Sequence, residues 1–151
     1  MRRRVLLERF VAIGVSLPGL ALTATPKAEV QVFKSRSCSC CAVWAGHLRE
    51  AGFTVAVLDV RNASVERRRL GMPDRFGSCH TALADGYVIE GHVPAAEIER
   101  LLATRPEALG LSVPGMPVSA PGMAVPGRSQ PYQVLLIDLA GQASTFASYP
   151  G

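Results

Sequence analysis

The spacing of the cysteines constrains this chain more than any other feature of its sequence. Of the four cysteines, three, Cys38, Cys40 and Cys41, lie within four consecutive positions, and only Cys79 is distant. Three adjacent thiols cannot all pair with one another, so a purely structural disulfide framework does not account for the pattern. A site for soft metal ions, or a redox centre, accounts for it better.

The first 24 residues have the pattern of an export signal. Residues 2–4 are all arginine, and a short apolar run follows from residue 10 to residue 24. This run is interrupted by Pro18 and is too short to span a bilayer comfortably. We therefore expect residues 1–24 to direct export, by the general secretory route or by the twin-arginine route that the basic head also fits. Membrane association would follow only if the signal stayed uncleaved.

The charge of the chain argues against a nucleic-acid partner. The whole sequence holds 16 basic and 12 acidic residues, for a formal net charge of +4. Four of the basic residues and one of the acidic residues belong to the export signal, so the remainder is nearly neutral. The basicity therefore reflects export and not a nucleic-acid-binding surface. The remainder is long enough for one domain, which we place at residues 28–151.

Hydrophobic periodicity predicts alternating strands and helices. The predicted elements are a strand at 29–33, a helix from the cysteine cluster to Gly52, a buried strand at 53–60, a helix at 63–70, hairpin strands at 81–84 and 87–90, and a helix beginning at Pro94. The segment 110–131 is rich in proline and glycine and is predicted to lack regular structure. A second hairpin, from strands at 133–139 and 144–149, closes the chain.

A strand followed by a Cys-x-x-Cys pair at a helix start is typical of thioredoxin-like folds, and Cys38 and Cys41 form such a pair. The sequence therefore predicts an α/β, thioredoxin-like fold with a mixed central sheet flanked by helices, a long Pro/Gly/Met loop and a C-terminal hairpin. The helix N-terminus should favour thiolates. In such folds the loop before the central hairpin lies beside the pair and usually carries a cis-proline. Here that loop contains Cys79, so we expect all four thiols to converge.

Motifs along the whole chain after the signal resemble those of one family. They are the Cys-x-Cys-Cys run at 34–41, Trp44, the segments 48–53, 78–81 and 86–94, and the Pro/Gly/Met steps at 113–117 and 121–123. In these segments the chain is similar to the CopG-type copper-resistance proteins. The resemblance implies a thioredoxin-like domain in the bacterial periplasm that binds copper through the Cys-x-Cys-Cys motif and the distant cysteine and takes part in copper redox handling. One departure is Ser39, where the family usually has glycine.

The residue types favour copper independently of the resemblance. Thiolates are soft donors that prefer Cu(I), and closely spaced sulfurs can bridge more than one ion. Four-cysteine zinc sites usually draw their ligands from two Cys-x-x-Cys knuckles, and an iron-sulfur cluster suits an exported domain poorly. We therefore expect Cys38, Cys40, Cys41 and Cys79 to hold copper, preferentially as Cu(I), with room for more than one ion.

Four further side chains are candidate copper ligands. His80 adjoins Cys79, and His92 follows the predicted hairpin. Each imidazole suits copper, although each also suits a backbone hydrogen bond. Met116 and Met123 recur in Pro-Gly-Met steps of the long loop, where their thioethers can close over a Cu(I) site or simply fill gaps beneath the loop.

Two classes of function fit these residues. The first is a copper-resistance protein that holds Cu(I) and exchanges electrons with it as a copper oxidoreductase, or stores and transfers Cu(I) without redox turnover. The second is a thiol-disulfide oxidoreductase that uses Cys38 and Cys41 as its dithiol, with Cys40 or Cys79 as the resolving thiol. The adjacent third thiol, Cys40, argues against the second. We expect copper ions and other periplasmic copper-handling proteins as partners, and no nucleic acid.

Overall fold

Seven strands and three α-helices make up residues 27–151, the part of the chain that the computed structural model describes. The export signal expected at residues 1–24 lies outside the described residues. In chain order the elements are β1 (Glu29–Ser35), α1 (Ser39–Glu50), β2 (Thr54–Val60), α2 (Ala63–Arg69), a 3₁₀ turn (Asp74–Phe76), β3 (His80–Ala84), β4 (Tyr87–Glu90), α3 (Ala95–Thr104), β5 (Gly110–Ser112), β6 (Tyr132–Ile137) and β7 (Ala143–Tyr149).

The strands form one mixed sheet in the order β2-β1-β3-β4-β5-β6-β7. β1 pairs in parallel with β2 and antiparallel with β3, and β3 pairs antiparallel with β4. These four strands have the arrangement of a thioredoxin-like core. β5 joins β4 in parallel, and β6 and β7 extend the sheet antiparallel. The predicted α/β class is confirmed, and the strand order is compatible with a thioredoxin-like fold.

Apolar side chains cover both faces of the sheet. On one face, α1 and α3 pack through residues that include Trp44 and Ile98. On the other face, Met72 packs beside Val88. The two clusters lie on opposite faces because Val88 and Ile89 are adjacent in β4, and side chains alternate along a strand. Among the described residues, no helix has the length and apolar character needed to cross a bilayer.

A histidine joins the two helices that share the first face. His47 Nε2, in α1, accepts a hydrogen bond from the backbone N–H of Ala95 at 3.1 Å. Because the first N–H groups of a helix have no partner within it, this imidazole caps the start of α3. His47 therefore orients α3 on α1.

The expectation of a buried strand at 53–60 is wrong in its burial. β2 occupies an edge of the sheet, and most of its residues are exposed or half-buried, including Val57 and Leu58. A run of valine and leucine is typical of a central parallel strand. Whether a strand is central depends on its neighbours in space, which periodicity does not report.

The expectation that 110–131 lacks regular structure is also wrong at its start. β5 (Gly110–Ser112) is a fully buried three-residue strand between β4 and β6. Three residues are too few to show a period of two. Gly110 lies directly opposite Val88 in β4, and a Cβ at this position would lie 1.8 Å from the Val88 carbonyl oxygen. Glycine therefore permits the close approach of these strands.

Gly110→Ala is expected to lower the free energy of unfolding by about 2 kcal/mol or more, because the added methyl group overpacks the β4–β5 contact. Gly46→Ala, in α1, is the control, since a Cβ there would meet nothing within 4 Å. The control is expected to be neutral or to stabilise by up to about 1 kcal/mol. Urea unfolding monitored by circular dichroism measures both, and equal effects would contradict the close approach.

Candidate metal centre

The turn between β1 and α1 presents three of the cysteines. Cys38 occupies the N-cap position of α1, and its backbone N–H donates a hydrogen bond to the Ser35 carbonyl oxygen at 3.0 Å. Cys40 and Cys41 follow in the first helical turn. The unpaired N–H groups and the positive end of the helix dipole favour negative charge at this end of the helix. The predicted position of these cysteines at a helix start is confirmed.

The fourth cysteine, Cys79, directly precedes β3 and lies beside this turn. Cys79 Sγ lies 3.4 Å from Cys41 Sγ and 3.9 Å from Cys40 Sγ, and Cys40 Sγ lies 3.5 Å from Cys38 Sγ. All four sulfurs lie within 4.8 Å of one another. Two sulfurs bound tetrahedrally to one ion at about 2.3 Å stand about 3.8 Å apart, close to these separations. The predicted convergence of the four thiols is confirmed.

The cluster contains one disulfide. Cys38 and Cys41 are joined, whereas Cys40 and Cys79 are free thiols. The sequence offered Cys38 and Cys41 as a dithiol pair but did not determine whether they would be bonded. The cluster therefore has two chemical states, one with four sulfurs able to bind metal and one with two.

Two buried imidazoles stand beside Cys79. His80 Nδ1 lies 3.4 Å and His92 Nε2 lies 3.2 Å from Cys79 Sγ. Both histidines are fully buried. His92 Nδ1 donates a hydrogen bond to the Pro121 carbonyl oxygen at 2.7 Å, so in the neutral ring the lone pair of Nε2 points towards the sulfur. Proteins orient metal-binding histidines with this type of contact.

The environment keeps these groups uncharged in the metal-free protein. Burial lowers the pKa of His80 to about 3, with a further contribution from His92, and burial also lowers the pKa of His92. Burial raises the pKa of Cys79 to about 12, and the neighbouring Cys40 thiol contributes to the rise. A bound cation favours the opposite state for the thiol, because metal ligation deprotonates cysteine. Metal binding would therefore release the Cys79 proton.

A buried ion pair holds the segment before Cys79. Glu90, in β4, is fully buried, and its Oε1 accepts hydrogen bonds from the Ser78 backbone N–H at 2.6 Å and from Arg67 Nη1 at 3.2 Å. Arg67 also donates to Asp74 Oδ1 at 3.0 Å. All described peptide bonds are trans, so these contacts and not a cis-proline shape the segment. Because Ser78 directly precedes Cys79, the pair determines where the fourth sulfur stands.

This ion pair was missed in the sequence, where residues 67–69 form an arginine run typical of a solvated helix face. Arg67 is in fact buried, whereas Arg68 and Arg69 are exposed. A detectable signal was Glu90, an acidic residue at the end of an otherwise apolar strand. A buried carboxylate usually requires a partner.

The long loop contacts α1 at Gly122, directly before Met123, whereas Met116 is largely exposed. A Cβ on Gly122 would lie 2.9 Å from both the Cys40 carbonyl oxygen and the Trp44 backbone nitrogen, so the loop presses on the first turns of α1. Met123 follows Gly122 directly and is half-buried. Met116 is 55% exposed and lines an open pocket beside β6.

The fold is compatible with a thioredoxin-like protein, and the site is a cluster of four cysteines of the kind that could hold a soft metal ion. The chain is similar to two solved structures described as "Copper resistance protein copG", Form 1 and Form 2. Each is 43% identical, has a TM-score of 0.78 and is covered over 99% of its length, and the matches cover 83% and 82% of this chain. A family model described as "Protein of unknown function, DUF411" matches residues 76–123. No curated protein matches the chain.

The chain therefore belongs to the CopG family of copper-resistance proteins. This confirms the resemblance drawn from its motifs.

Acidification is expected to destabilise the metal-free protein between pH 7 and pH 5.5. Burial lowers the pKa of His47, His80 and His92 from the ordinary 6.5, so the unfolded chain binds more protons in this range. Glu90, whose pKa burial raises, opposes this by at most one proton. The proton of His80 alone corresponds to a loss of up to about 1.4 kcal/mol per pH unit, and His47 and His92 add to this loss. Urea unfolding across this range measures the slope, and a flat profile would contradict the neutral imidazoles.

Proposed function

We propose that this protein binds copper in the bacterial periplasm and contributes to copper resistance by holding Cu(I) on Cys38, Cys40, Cys41 and Cys79. The observation that carries the proposal is that four sulfurs from two separate segments lie within 4.8 Å of one another. Soft thiolates prefer Cu(I), and the relatives of known structure are described as copper-resistance proteins. The expected export signal at residues 1–24 supports the location.

The order of the sulfurs supports binding of more than one ion. Cys40 Sγ neighbours both Cys38 Sγ and Cys79 Sγ, and Cys79 Sγ neighbours both Cys40 Sγ and Cys41 Sγ, each within 3.9 Å. A thiolate with a sulfur neighbour on either side can bridge two ions. The reduced cluster is therefore suited to a polynuclear Cu(I) centre. His80 and His92, whose ring nitrogens lie close to Cys79 Sγ, would complete the coordination, and Met116 and Met123 of the long loop are further candidate ligands.

The Cys38–Cys41 pair supports a redox step as part of this function. Two thiolates and two Cu(II) ions yield one disulfide and two Cu(I) ions, and the electrons and charges balance. The disulfide between Cys38 and Cys41 is the kind of product that this step would leave. Its reduction by an external dithiol would regenerate the four-sulfur form.

A thiol-disulfide oxidoreductase is the second candidate. The Cys38–Cys41 disulfide at the start of α1 favours it, because a helix N-terminus stabilises the thiolate that leaves during exchange. However, the free Cys79 thiol lies 3.4 Å from Cys41 Sγ, and burial raises its pKa to about 12. A protonated thiol is a poor resolving nucleophile. The copper function accounts for Cys40, Cys79 and the two imidazoles together.

Reduced protein is expected to bind Cu(I) tightly under anaerobic conditions, and Cys40→Ser is expected to bind fewer ions per chain. The serine removes the sulfur that neighbours both Cys38 Sγ and Cys79 Sγ. The adjacent Ser39→Ala, exposed in the first turn of α1, is the control and should bind as the wild type does. Titration against a Cu(I) chelator gives the number of ions and their affinity. Weak Cu(I) binding combined with efficient reduction of insulin by all three proteins would instead establish the disulfide oxidoreductase.

Gly122→Ala is expected to weaken Cu(I) binding about tenfold, because the added Cβ pushes the loop from α1 and carries Pro121 away from His92. Gly127→Ala is the matched control. Both glycines have positive φ, +85° and +71°, so both substitutions strain the backbone, but a Cβ on Gly127 would meet nothing within 4 Å. Chelator competition compares the variants. Equal affinity in both would show that the loop takes no part in holding copper.

A further inference from the structure

The chain leaves the carboxyl ends of β1 and β2 in opposite directions. α1 follows β1 on the face of the sheet that Trp44 covers, and α2 follows β2 on the opposite face, where Arg67 pairs with Glu90. When connections diverge in this way after neighbouring parallel strands, a crevice opens outside the strand ends, and such crevices are common ligand sites. Here the crevice is an open cleft of about 420 Å³ between residues 35–37 and residues 59–61.

We propose that this cleft binds the carboxylates of a small anionic thiol, which then reduces the disulfide between Cys38 and Cys41. The ligand class is a molecule with one thiol and at least one carboxylate. This inference rests on the proposed function and deepens it, because the four-sulfur form has to be regenerated after each oxidation.

The charge of the cleft favours an anionic ligand. Among the residues that line it, Asp59 is the only acidic one, and its carboxylate is shared between Lys34 Nζ at 3.2 Å and Arg36 Nε at 3.5 Å. The Arg36 side chain is nevertheless 91% exposed. Arg61, on the other wall, is exposed and forms no ion pair with any of residues 27–151. Three cations therefore accompany one carboxylate, and guanidinium groups are well suited to bind further carboxylates.

One wall of the cleft belongs to the turn that carries Cys38. Ser37 directly precedes Cys38, and the Cys38 backbone N–H donates a hydrogen bond to the Ser35 carbonyl oxygen at 3.0 Å. The exposed hydroxyls of Ser35 and Ser37 lie 3.1 Å apart on this wall and offer additional hydrogen bonds to a ligand. Cys38 is half-buried, whereas Cys41 is fully buried. A thiol held in the cleft therefore meets the disulfide at Cys38.

The reduction balances with two molecules of the small thiol. The first thiolate attacks Cys38 Sγ, forms a mixed disulfide there and releases Cys41 as a thiolate. The second thiolate attacks the ligand sulfur of the mixed disulfide, forms the oxidised dimer of the small thiol and releases the Cys38 thiolate. The protein disulfide thus gains two electrons, and the two protons of the small thiols pass to solvent or to the cysteines. Cys41 is a suitable leaving group, because the start of α1 stabilises its thiolate.

The first test compares two thiols as reductants of the disulfide form. Glutathione carries two carboxylates, whereas 2-mercaptoethanol is uncharged. Arg36→Gln combined with Arg61→Gln is expected to lower the second-order rate constant for glutathione about fivefold and to leave that for 2-mercaptoethanol unchanged. High salt should slow only the glutathione reaction of the wild type. Mass spectrometry of acid-quenched samples measures the rates.

Arg68→Gln combined with Arg105→Gln is the matched control. It removes the same charge from two side chains that are each 54% exposed and lie outside the cleft. Both rate constants should stay at the wild-type values. An equal loss with both thiols in the cleft variant, or an equal loss of the glutathione rate in both double variants, would overturn the proposal.

The second test separates binding from reduction. S-methylglutathione has no free thiol, and its addition to the disulfide form is expected to shift the backbone amide NMR signals of residues 35–37 and 59–61. During reduction by glutathione, the trapped mixed disulfide should lie on Cys38. Amide shifts confined to other segments, or a mixed disulfide on Cys41, would contradict the assignment.

Cu(I) binding distinguishes failure of this inference from failure of the proposed function. The cleft variant, reduced with dithiothreitol, is expected to bind as much Cu(I) as the reduced wild type, because Arg36 and Arg61 provide no sulfur. If the reduced proteins bind Cu(I) and glutathione reacts equally fast with both, this inference fails alone. If the reduced wild type binds no Cu(I), the proposed function fails and this inference fails with it.

Discussion

The antiparallel pairing of β1 with β3 is the constraint on which the centre depends. Lys34, near the end of β1, lies opposite His80, the first residue of β3. The cysteine turn that follows β1 therefore stands beside the residue that precedes β3, which is Cys79. The α1–α3 face supports this pairing, since Trp44 and Leu48 bury α1 against the same strands. A slip of one residue in this register would turn His80 to the opposite face of the sheet.

Burial then determines the chemistry of the sulfurs and imidazoles that the pairing brings together. The helix N-terminus offers unpaired N–H groups to the cysteines of α1, whereas Cys79 lies among groups that raise its pKa and keep the histidines neutral. This part of the centre is nearly uncharged without metal. Binding of a cation would release the thiol proton and so create the charge that the cation stabilises. The two halves of the centre thus differ in their donors, with sulfur alone on one side and mixed sulfur and nitrogen on the other.

The sequence correctly predicted those elements that are determined by residues close together in the chain. The prediction of a hairpin at Asp85-Gly86 was correct. Both residues adopt positive φ, as a tight two-residue turn requires. The start of α1 at the cysteines was also correct. β2 was misjudged because its apolar residues do not reveal that it lies at an edge. Arg67 was misjudged because its partner, Glu90, approaches from another strand.

The sequence by itself determined the donors: three crowded thiols, a fourth in the loop before a hairpin, and histidines and methionines as candidate ligands. Donor type and local spacing are properties of the chain, so they can be read without the fold. Only the tertiary structure decided that His92 points Nε2 at Cys79, that the long loop contacts α1 at Gly122, and that Glu90 and Arg67 hold the segment before the fourth cysteine. These facts depend on contacts between distant segments, and such contacts form only when packing and burial select one arrangement.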